Sequence, residues 1–366
     1  MNSKKMLLVT SEFPPQPGGI GNHAYNLATQ LQLKGYKVTV LADLRSKDGA
    51  EEQQFDATLL FKVVRIIPNK ISWFTYIQRI LKYRSLVTKR DLVIASGKFS
   101  LWMVGLDPFL SLSKKNAVIH GTELNLKGIP KILINKSLPK FNKIIAVSKY
   151  TKSLVFSLKL KNIEVIPNGF KTFKTAKLSE PKINRDANYP ILITVGNVTD
   201  RKGQLNVIKA LPLLKEKYPK IQYHIVGIPT MKEMFKEVAF KLGVHNSIIF
   251  HGEVTGERKH QLLKESDIFV MLSNKTNTGD VEGFGIAVIE ANFMGLPAIG
   301  SGNSGIADAI KNNCSGKLIN PIDANAFLEA INTILKDYTN YSNNAKEWSK
   351  QFDWKIIIKK YLNTFE

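Results

Sequence analysis

The sequence predicts an α/β protein of two domains with parallel sheets, and three observations support this fold class. The chain has 366 residues, too many for one ordinary core, and 44% of them are hydrophobic, as in globular proteins. Short β-type runs alternate with helical stretches through both halves, which is typical of parallel α/β sheets. A polar segment at residues 171–190 has no apolar period and separates the halves as a linker. Two such domains are expected to leave a cleft at the carboxyl ends of their strands, where these folds bind ligands.

The predicted strands are short apolar runs. In the first half they lie at residues 6–10, 38–42, 63–67, 92–95, 117–119, 144–147 and 163–166. In the second half they lie at residues 191–195, 222–226, 248–250, 268–271, 297–299 and 316–318. Helical periodicity is clear at residues 24–34, 205–217, 231–242 and 324–335. The predicted domains are residues 1–178 and 179–345, and their nearly continuous apolar strands suit sheets covered on both faces.

The chain is strongly basic, and the charge is uneven. Its formal net charge is +22, and residues 1–181 carry 29 Lys and Arg against 11 Asp and Glu. The first half is therefore expected to meet an anionic partner. No zinc spacing, RNP-like aromatic motif or recognition-helix pattern is found, so no nucleic acid is expected as a partner. An anionic membrane surface or a phosphorylated acceptor fits better.

The sequence also constrains the compartment. Cys314 is the only cysteine, which excludes an intramolecular disulfide and favours a reducing compartment. The apolar run at residues 6–9 is too short for a signal peptide, and no stretch of 18 uninterrupted apolar residues occurs. We therefore expect a cytoplasmic protein without a membrane span.

The segment EGFGIAVIEANFMGLPAIGSGNSG, residues 282–305, is the most informative. Glu282 and Glu290 bracket a Gly-Phe-Gly turn in which backbone N–H groups can approach a ligand closely. A helix at residues 286–294 would place those groups at its positive end, which favours phosphate. Glu282 could instead be only an acid near a helix start, and Glu290 a solvated position. Because apolar residues surround Glu290, a buried carboxylate facing a ligand is favoured, and the segment suggests a sugar-nucleotide site.

A glycine loop follows the first predicted strand. Gly19, Gly21 and Ala24 fit the G-x-G-x-x-A dinucleotide fingerprint, and Asp43 falls where a ribose-binding acid would lie. An NAD-dependent oxidoreductase is therefore an alternative. Three prolines separate the strand from these glycines, however, whereas the fingerprint needs a tight strand-to-helix turn. A longer loop overhanging a ligand is the preferred interpretation.

Two further sets of residues lie at predicted strand ends. His120 directly follows residues 117–119 and precedes a glycine, which favours a place in the cleft over an ordinary surface or core histidine. Arg201 and Lys202 stand beside Gly203 at the start of a predicted helix. Cations there can clamp a diphosphate, although a solvated basic turn is the simple alternative.

Residues 69–90 predict a basic aromatic helix. One face carries Ile71, Trp73, Phe74, Ile77, Ile80 and Leu81, and the cations are Arg79, Lys82, Arg84, Lys89 and Arg90. Such a helix can lie in a membrane interface, and each Lys or Arg near an anionic leaflet contributes about 1 kcal/mol. An ordinary surface helix that packs on the core is an equally well supported alternative.

Taken in order, several segments resemble the family 4 retaining glycosyltransferases, which have the GT-B fold of two facing Rossmann-like domains with an inter-domain cleft. The matching segments are PGGIGNHAYNLATQLQLKGYKVTVL, HGTE, IAVSKYTKS, IPNGF, VGNVTDRKG, EGFGIAVIE and NSGIADAI. The resemblance implies an acceptor-side first domain, a second domain that binds the nucleotide-sugar donor, and a terminal helix at residues 346–366 that crosses back to the first domain.

The resemblance also implies roles by position. Glu282 resembles the glutamate beside the transferred sugar, and Glu290 the one that binds the ribose hydroxyls. Backbone contacts to the donor are implied for Phe284, Gly285 and Ile286, diphosphate contacts for Arg201, Lys202 and Gly19, and a place near the reacting sugar for His120. Asn197 stands where many relatives carry arginine, so either Arg201 takes over that contact or phosphate binding is weaker. A phosphate oxygen of the leaving group takes the acceptor's proton in this family, and no metal or other cofactor is required.

The resemblance therefore implies that the protein is a retaining glycosyltransferase, which moves a hexose from a nucleotide-diphosphate sugar to a hydroxyl acceptor. A cell-envelope or lipid-linked glycan is the expected acceptor, and polysaccharide biosynthesis the expected setting. The protein is expected in the cytoplasm, peripheral at the inner face of the membrane. A non-catalytic sugar-nucleotide-binding protein remains, with the NAD-dependent oxidoreductase, as an alternative.

Overall fold

A computed structural model describes residues 4–87, 92–108, 114–172, 189–276 and 279–365. The described residues form two compact units. Unit 1 runs up to Lys171 and resumes at Trp354, and unit 2 is Thr172–Asp353. The first division falls in the polar segment at residues 171–190, of which residues 173–188 lie outside the described part of the chain.

Unit 1 contains, within the described residues, a seven-stranded parallel sheet in the order β3-β2-β1-β4-β5-β6-β7. Its strands are β1 (Lys5–Thr10), β2 (Lys37–Asp43), β3 (Lys62–Ile66), β4 (Leu92–Ser96), β5 (Lys115–Ile119), β6 (Lys143–Ala146) and β7 (Ile163–Val165). Its helices are α1 (Gly19–Leu33), α2 (Ala50–Ala57), α3 (Ser72–Leu86), α4 (Lys98–Gly105), α5 (Ile129–Ser137), α6 (Lys149–Ser153) and α14 (Trp354–Phe365).

The helices of unit 1 lie in two layers. Connections between parallel strands are right-handed, so the reversal of strand order between β1 and β4 sends α3 to α6 to the face opposite α1 and α2. Packing agrees with this, because Tyr83 of α3, Leu101 of α4 and Ile134 of α5 share one core cluster with the strands. The terminal helix α14 packs against α1, where Tyr361 Oη lies 2.9 Å from His23 Nε2.

Unit 2 contains a six-stranded parallel sheet in the order β10-β9-β8-β11-β12-β13. Its strands are β8 (Ile191–Val195), β9 (Gln222–Val226), β10 (Ile248–Gly252), β11 (Ile268–Met271), β12 (Ala298–Ser301) and β13 (Gly316–Ile319). Its helices are α7 (Gln204–Lys217), α8 (Lys232–Lys241), α9 (Gly256–Glu265), α10 (Ile286–Phe293), α11 (Ile306–Ala309), α12 (Ala324–Lys336) and α13 (Tyr338–Lys350). Buried side chains such as those of Leu211, Phe235 and Ile331 form its hydrophobic core.

The predicted fold class is confirmed, with one correction to an element. Each predicted strand is present, with ends shifted by no more than a residue or two. Helix α1, however, begins at Gly19, so Gly19 and Gly21 form its first turn and are not part of a loop before it. A Cβ on Gly21 would lie only 3.0 Å from the backbone of Glu12 and Phe13, which favours glycine at that position.

Each sheet reverses its strand order once, between β1 and β4 in unit 1 and between β8 and β11 in unit 2. Open α/β sheets bind ligands outside the carboxyl ends of the strands at such a reversal. In unit 1 this edge carries Ser96 and His120. In unit 2 it carries Arg201, Lys202 and Glu282, so the topology places the predicted residues of each unit at its expected binding edge.

Candidate functional site

In unit 2 the turn before α10 is held by close backbone contacts. Gly285 precedes the helix with a φ of 92°, a conformation that favours glycine, and a Cβ on it would press on the Ile306 side chain. From the second glycine cluster, Gly305 N–H donates to the Glu282 carbonyl at 2.9 Å. A side chain on Gly305 would overlap the Gly283 carbonyl. The turn is therefore fixed beside the positive end of α10.

The Glu282 carboxylate lies between two cations from the turn after β8. Its Oε2 is 2.5 Å from Arg201 Nη1 and 2.7 Å from Lys202 Nζ. Burial raises the pKa of Glu282, but the charges of Lys202 and Arg201 and their hydrogen bonds outweigh it and lower that pKa to about 2. Arg201 Nε also lies 3.2 Å from Asp280 Oδ2, a partner that the sequence did not indicate. The structure thus brings Glu282 together with both predicted diphosphate ligands.

The turn that carries these cations is packed against the end of β11. Gly203 has a φ of 76° and leaves no room for a side chain against the Leu272 carbonyl. Ser273 Oγ donates to the Arg201 carbonyl at 2.6 Å. The two strand ends at the reversal are therefore locked together, and this sets the position of the cations.

Glu290 has a partner within the protein. Its Oε2 accepts a hydrogen bond from Lys259 Nζ of α9 at 2.8 Å, and the two side chains are 22% and 25% exposed. The sequence argument that Glu290 is buried is corrected, because the carboxylate is partly exposed and ion-paired. Lys259 was missed, since nothing in the sequence indicates that α9 packs beside α10.

The remaining predicted residues of unit 2 differ in what they can offer a ligand. The Phe284 side chain is buried, with its ring 5.6 Å from that of Phe352, so Phe284 can meet a ligand only through its backbone. Ile286, the first residue of α10, is half-buried. Asn197 is exposed after β8, and its carbonyl accepts a hydrogen bond from Gln204 Nε2 at 3.1 Å.

In unit 1, His120 lies in a buried polar cluster at the end of β5. Its Nε2 is 3.0 Å from Ser96 Oγ at the end of β4, and its backbone N–H donates to Glu123 Oε1 at 2.5 Å. The His23 ring packs edge-on against it at 5.1 Å. Burial lowers the pKa of His120 to about 3, so the imidazole is neutral at physiological pH. Neither Ser96 nor His23 was selected from the sequence.

Two family models match the chain. Glycosyltransferase Family 4 matches residues 17–172, and Glycosyl transferases group 1 matches residues 176–351.

The chain belongs to the family 4 glycosyltransferases.

Curated relatives of this glycosyltransferase include two enzymes of similar length. A GDP-mannose-dependent alpha-(1-6)-phosphatidylinositol monomannoside mannosyltransferase of Mycolicibacterium smegmatis is 25% identical over 91% of the present chain and 89% of its own. A GDP-mannose-dependent monoacylated alpha-(1-6)-phosphatidylinositol monomannoside mannosyltransferase of Corynebacterium glutamicum is 26% identical over 100% and 98%. Among solved structures, Anabaena HepE in complex with UDP and glucose has a TM-score of 0.79 at 19% identity and covers 99% of both chains.

The glycosyltransferase is a hexosyltransferase of a retaining family, has the GT-B fold, and uses a nucleotide-sugar donor. The NAD-dependent alternative is thereby set aside, and the structure adds a physical reason. Asp43 accepts hydrogen bonds from Arg79 Nε at 3.0 Å and Nη2 at 2.5 Å, so this carboxylate is already paired with a guanidinium.

The predicted site residue Gly19 lies in the first turn of α1 in unit 1. No atom lies within 4 Å of the position that its Cβ would take, so the space there is open.

Among the residues that the structure describes, no three His, Cys, Asp or Glu side chains are grouped as a metal site requires. Within the same ranges, no helix has the length and apolar character needed to cross a bilayer.

Proposed function

We propose that this glycosyltransferase moves a hexose from a nucleotide-diphosphate sugar to a hydroxyl group of a lipid-linked or cell-envelope glycan, with retention of configuration. The cluster of Arg201, Lys202 and Glu282 at the reversal of the unit 2 sheet carries this proposal. It combines two cations, a carboxylate and a nearby helix N-terminus at the edge where such sheets bind ligands.

The donor is proposed to bind along unit 2. Arg201 and Lys202 neutralise the diphosphate. Asn197 is uncharged, so Arg201 makes the phosphate contact that an arginine at position 197 would make. The backbone of Phe284, Gly285 and Ile286 contributes N–H groups at the start of α10. Carboxylates accept hydrogen bonds from hydroxyl groups, so Glu290 binds the ribose and Glu282 the transferred sugar.

The reaction requires that negative charge on the leaving diphosphate be stabilised. Cations held at the binding edge do this once the diphosphate has replaced Glu282 as their partner, and backbone contacts fix the turn that carries Arg201 and Lys202. The acceptor hydroxyl attacks on the face that the diphosphate leaves, and a phosphate oxygen takes its proton. No general base of the protein and no metal enters this scheme.

In unit 1 we assign His120 to the reacting sugar and Gly19 to the donor phosphates. His120 is neutral because burial lowers its pKa to about 3, so it serves as a hydrogen-bonding group and not as an acid. The open space above Gly19 allows backbone to approach an anion closely.

The acceptor is proposed to be lipid-linked, at the inner face of a membrane. The two curated relatives described above are named for phosphatidylinositol mannoside acceptors. The basic first half of the chain suits the surface of an anionic membrane, and the exposed part of residues 69–90 is proposed to meet it.

Transfer of radiolabel tests the function. Purified enzyme is incubated with labelled UDP-glucose, UDP-galactose, UDP-N-acetylglucosamine or GDP-mannose and vesicles of phosphatidylinositol, phosphatidylinositol mannosides and phosphatidylglycerol. We expect one donor to label the lipid fraction, and the Glu282→Gln variant to abolish that label. Label that appears only in water-soluble glycans would reject the lipid acceptor, and consumption of no donor would reject the proposed function.

A further inference from the structure

The positive charge of unit 1 is concentrated in one of its two helical layers. Residues 67–162, which supply α3, α4, α5 and α6, contain 18 Lys and Arg against 3 Asp and Glu. Residues 11–62 and 354–365, which supply α1, α2 and α14, contain 8 Lys and Arg against 6 Asp and Glu. Of the three acids in the first range, Asp107 and Glu123 are buried and Asp91 lies outside the described residues. The layer of α3 to α6, here called the basic layer, therefore exposes cations with no described acid among them.

The same layer exposes large apolar side chains. On α3 and just before it these are Ile71, Trp73, Phe74, Ile77 and Leu81, each between 42% and 63% exposed. The Trp73 and Phe74 rings stack on each other with centroids 3.9 Å apart. On α5, Ile129 and Ile132 are 72% and 52% exposed. Exposed lysines stand beside both sets, including Lys70, Lys82, Lys127 and Lys131.

The helices of the basic layer are joined to one another. Arg79 of α3 lies over the Phe99 ring of α4 at 3.9 Å, and Tyr76 of α3 lies 5.5 Å from Trp102 of α4. Helix α4 in turn packs against α5. This corrects the sequence-based view of Arg79 as a membrane-facing cation, because its guanidinium is held by Asp43 and Phe99. Arg79 anchors α3, and its exposed neighbours provide the surface.

We propose that the basic layer is a docking face for an anionic lipid membrane, with α3 and α5 as two separate insertion elements. Exposed cations bring the layer to an anionic leaflet, with about 1 kcal/mol for each Lys or Arg near the surface. Exposed aromatic and aliphatic side chains then enter the headgroup boundary, as the apolar face of an interfacial helix does. Nucleic acid would use the cations but not the exposed isoleucines and leucine of α3 and α5. The inference deepens the proposed lipid acceptor, but it concerns binding and needs no acceptor.

Vesicle co-sedimentation of the full chain, without donor or acceptor, tests the docking face. Vesicles of phosphatidylcholine alone are compared with vesicles containing phosphatidylglycerol. The variants are Trp73→Ser with Phe74→Ser on α3, Ile129→Ser with Ile132→Ser on α5, and Lys82→Glu with Lys131→Glu. The matched controls lie outside the basic layer: Leu33→Ser, 62% exposed on α1, and Lys34→Glu with Lys37→Glu, both exposed.

We expect binding only to vesicles with phosphatidylglycerol. Affinity should fall about 10-fold or more in each of the three variants, because two apolar side chains that would enter the membrane are lost or the net charge is lowered by four units. The controls should bind as the wild type does, and melting temperatures should be unchanged since every substituted side chain is exposed. Equal binding of the controls and the variants would overturn the proposal. So would retention of binding by the α5 variant, or preferential capture by duplex DNA in competition. Transfer to a short water-soluble acceptor is measured in parallel, so a failed docking face and a failed transferase activity give different results.

Discussion

Lys202 Nζ lies 2.7 Å from the Glu282 carboxylate, so the cation assigned to the diphosphate and the carboxylate assigned to the sugar are paired with each other. Arg201 completes the group from the other side. A bound diphosphate therefore competes with Glu282 for the same two cations. Donor binding is expected to transfer the cations from carboxylate to phosphate and to leave Glu282 available to sugar hydroxyls.

Lys202→Met should weaken the binding of free UDP or GDP by about 10-fold or more, since a charge-assisted hydrogen bond contributes about 1.5–3 kcal/mol. Isothermal titration calorimetry measures the change. Lys209→Met is the control, because Lys209 is an exposed lysine of α7. Equal affinities of the two variants would show that Lys202 does not hold the diphosphate.

Glu290→Gln should also weaken nucleotide binding by about 10-fold, because a neutral amide accepts ribose hydrogen bonds less strongly than a carboxylate. Lys259→Met should cause a smaller loss, since the carboxylate remains but its orienting partner at 2.8 Å is gone. Glu265→Gln, on α9 and paired with Arg258, is the control. Titration of UDP and of ribose-free diphosphate separates the contributions, and an equal effect on both ligands would contradict the ribose assignment.

Ser96→Ala should lower kcat about 10-fold while nucleotide affinity stays unchanged, because Ser96 Oγ fixes the orientation and tautomer of the neutral His120 ring. Ser96→Thr keeps the hydroxyl and should recover part of the rate. The control is Ser137→Ala, a buried serine whose Oγ donates to Ile134 O within α5. Nitrogen-15 NMR of the histidines reports the tautomer directly. An unchanged His120 signal in Ser96→Ala would refute the positioning role.

Acid should destabilise unit 2 through His224. Burial and the neighbouring His251 lower the pKa of His224 to about 4, with Arg258 adding to the shift and Glu265 opposing it. Below the unfolded value of 6.5 the unfolded chain binds a proton that the folded chain does not, so stability is lost as the pH falls from 6.5 towards 4. Between pH 7.5 and 5 the melting temperature should therefore fall more for wild type than for His224→Gln. Parallel curves would contradict this account.

The positions of the strands along the chain followed from the sequence, because apolar runs are local signals. The pairing of Glu282 with Arg201 and Lys202 did not follow, since 81 positions separate Glu282 from Arg201 and only the adjacency of β8 and β11 brings them together. Lys259 and Ser96 were missed for the same reason. The start of α1 was placed five residues late because glycines at positions 19 and 21 resemble a loop.

Residues 69–90 show a further limit of what the sequence can predict. The apolar positions in this segment correctly predicted a helix, which is α3 at Ser72–Leu86. The spacing of these apolar residues could not show that Arg79 pairs with Asp43. It also could not show that α5 exposes apolar residues on the same layer as α3. Both facts depend on how the crossover connections distribute helices over the two faces of the sheet.

The central claim is that Glu282 acts on the transferred sugar and Glu290 on the nucleotide. Comparing Glu282→Gln with Glu290→Gln, by calorimetry with free UDP or GDP and by transfer rate, tests it most directly. Glu282→Gln should bind the nucleotide at least as tightly as wild type, because Arg201 and Lys202 lose their competing carboxylate, while its transfer rate falls by about 100-fold or more. Glu290→Gln should lose nucleotide affinity. Equal losses of nucleotide affinity in both variants, or full transfer activity in Glu282→Gln, would contradict the account.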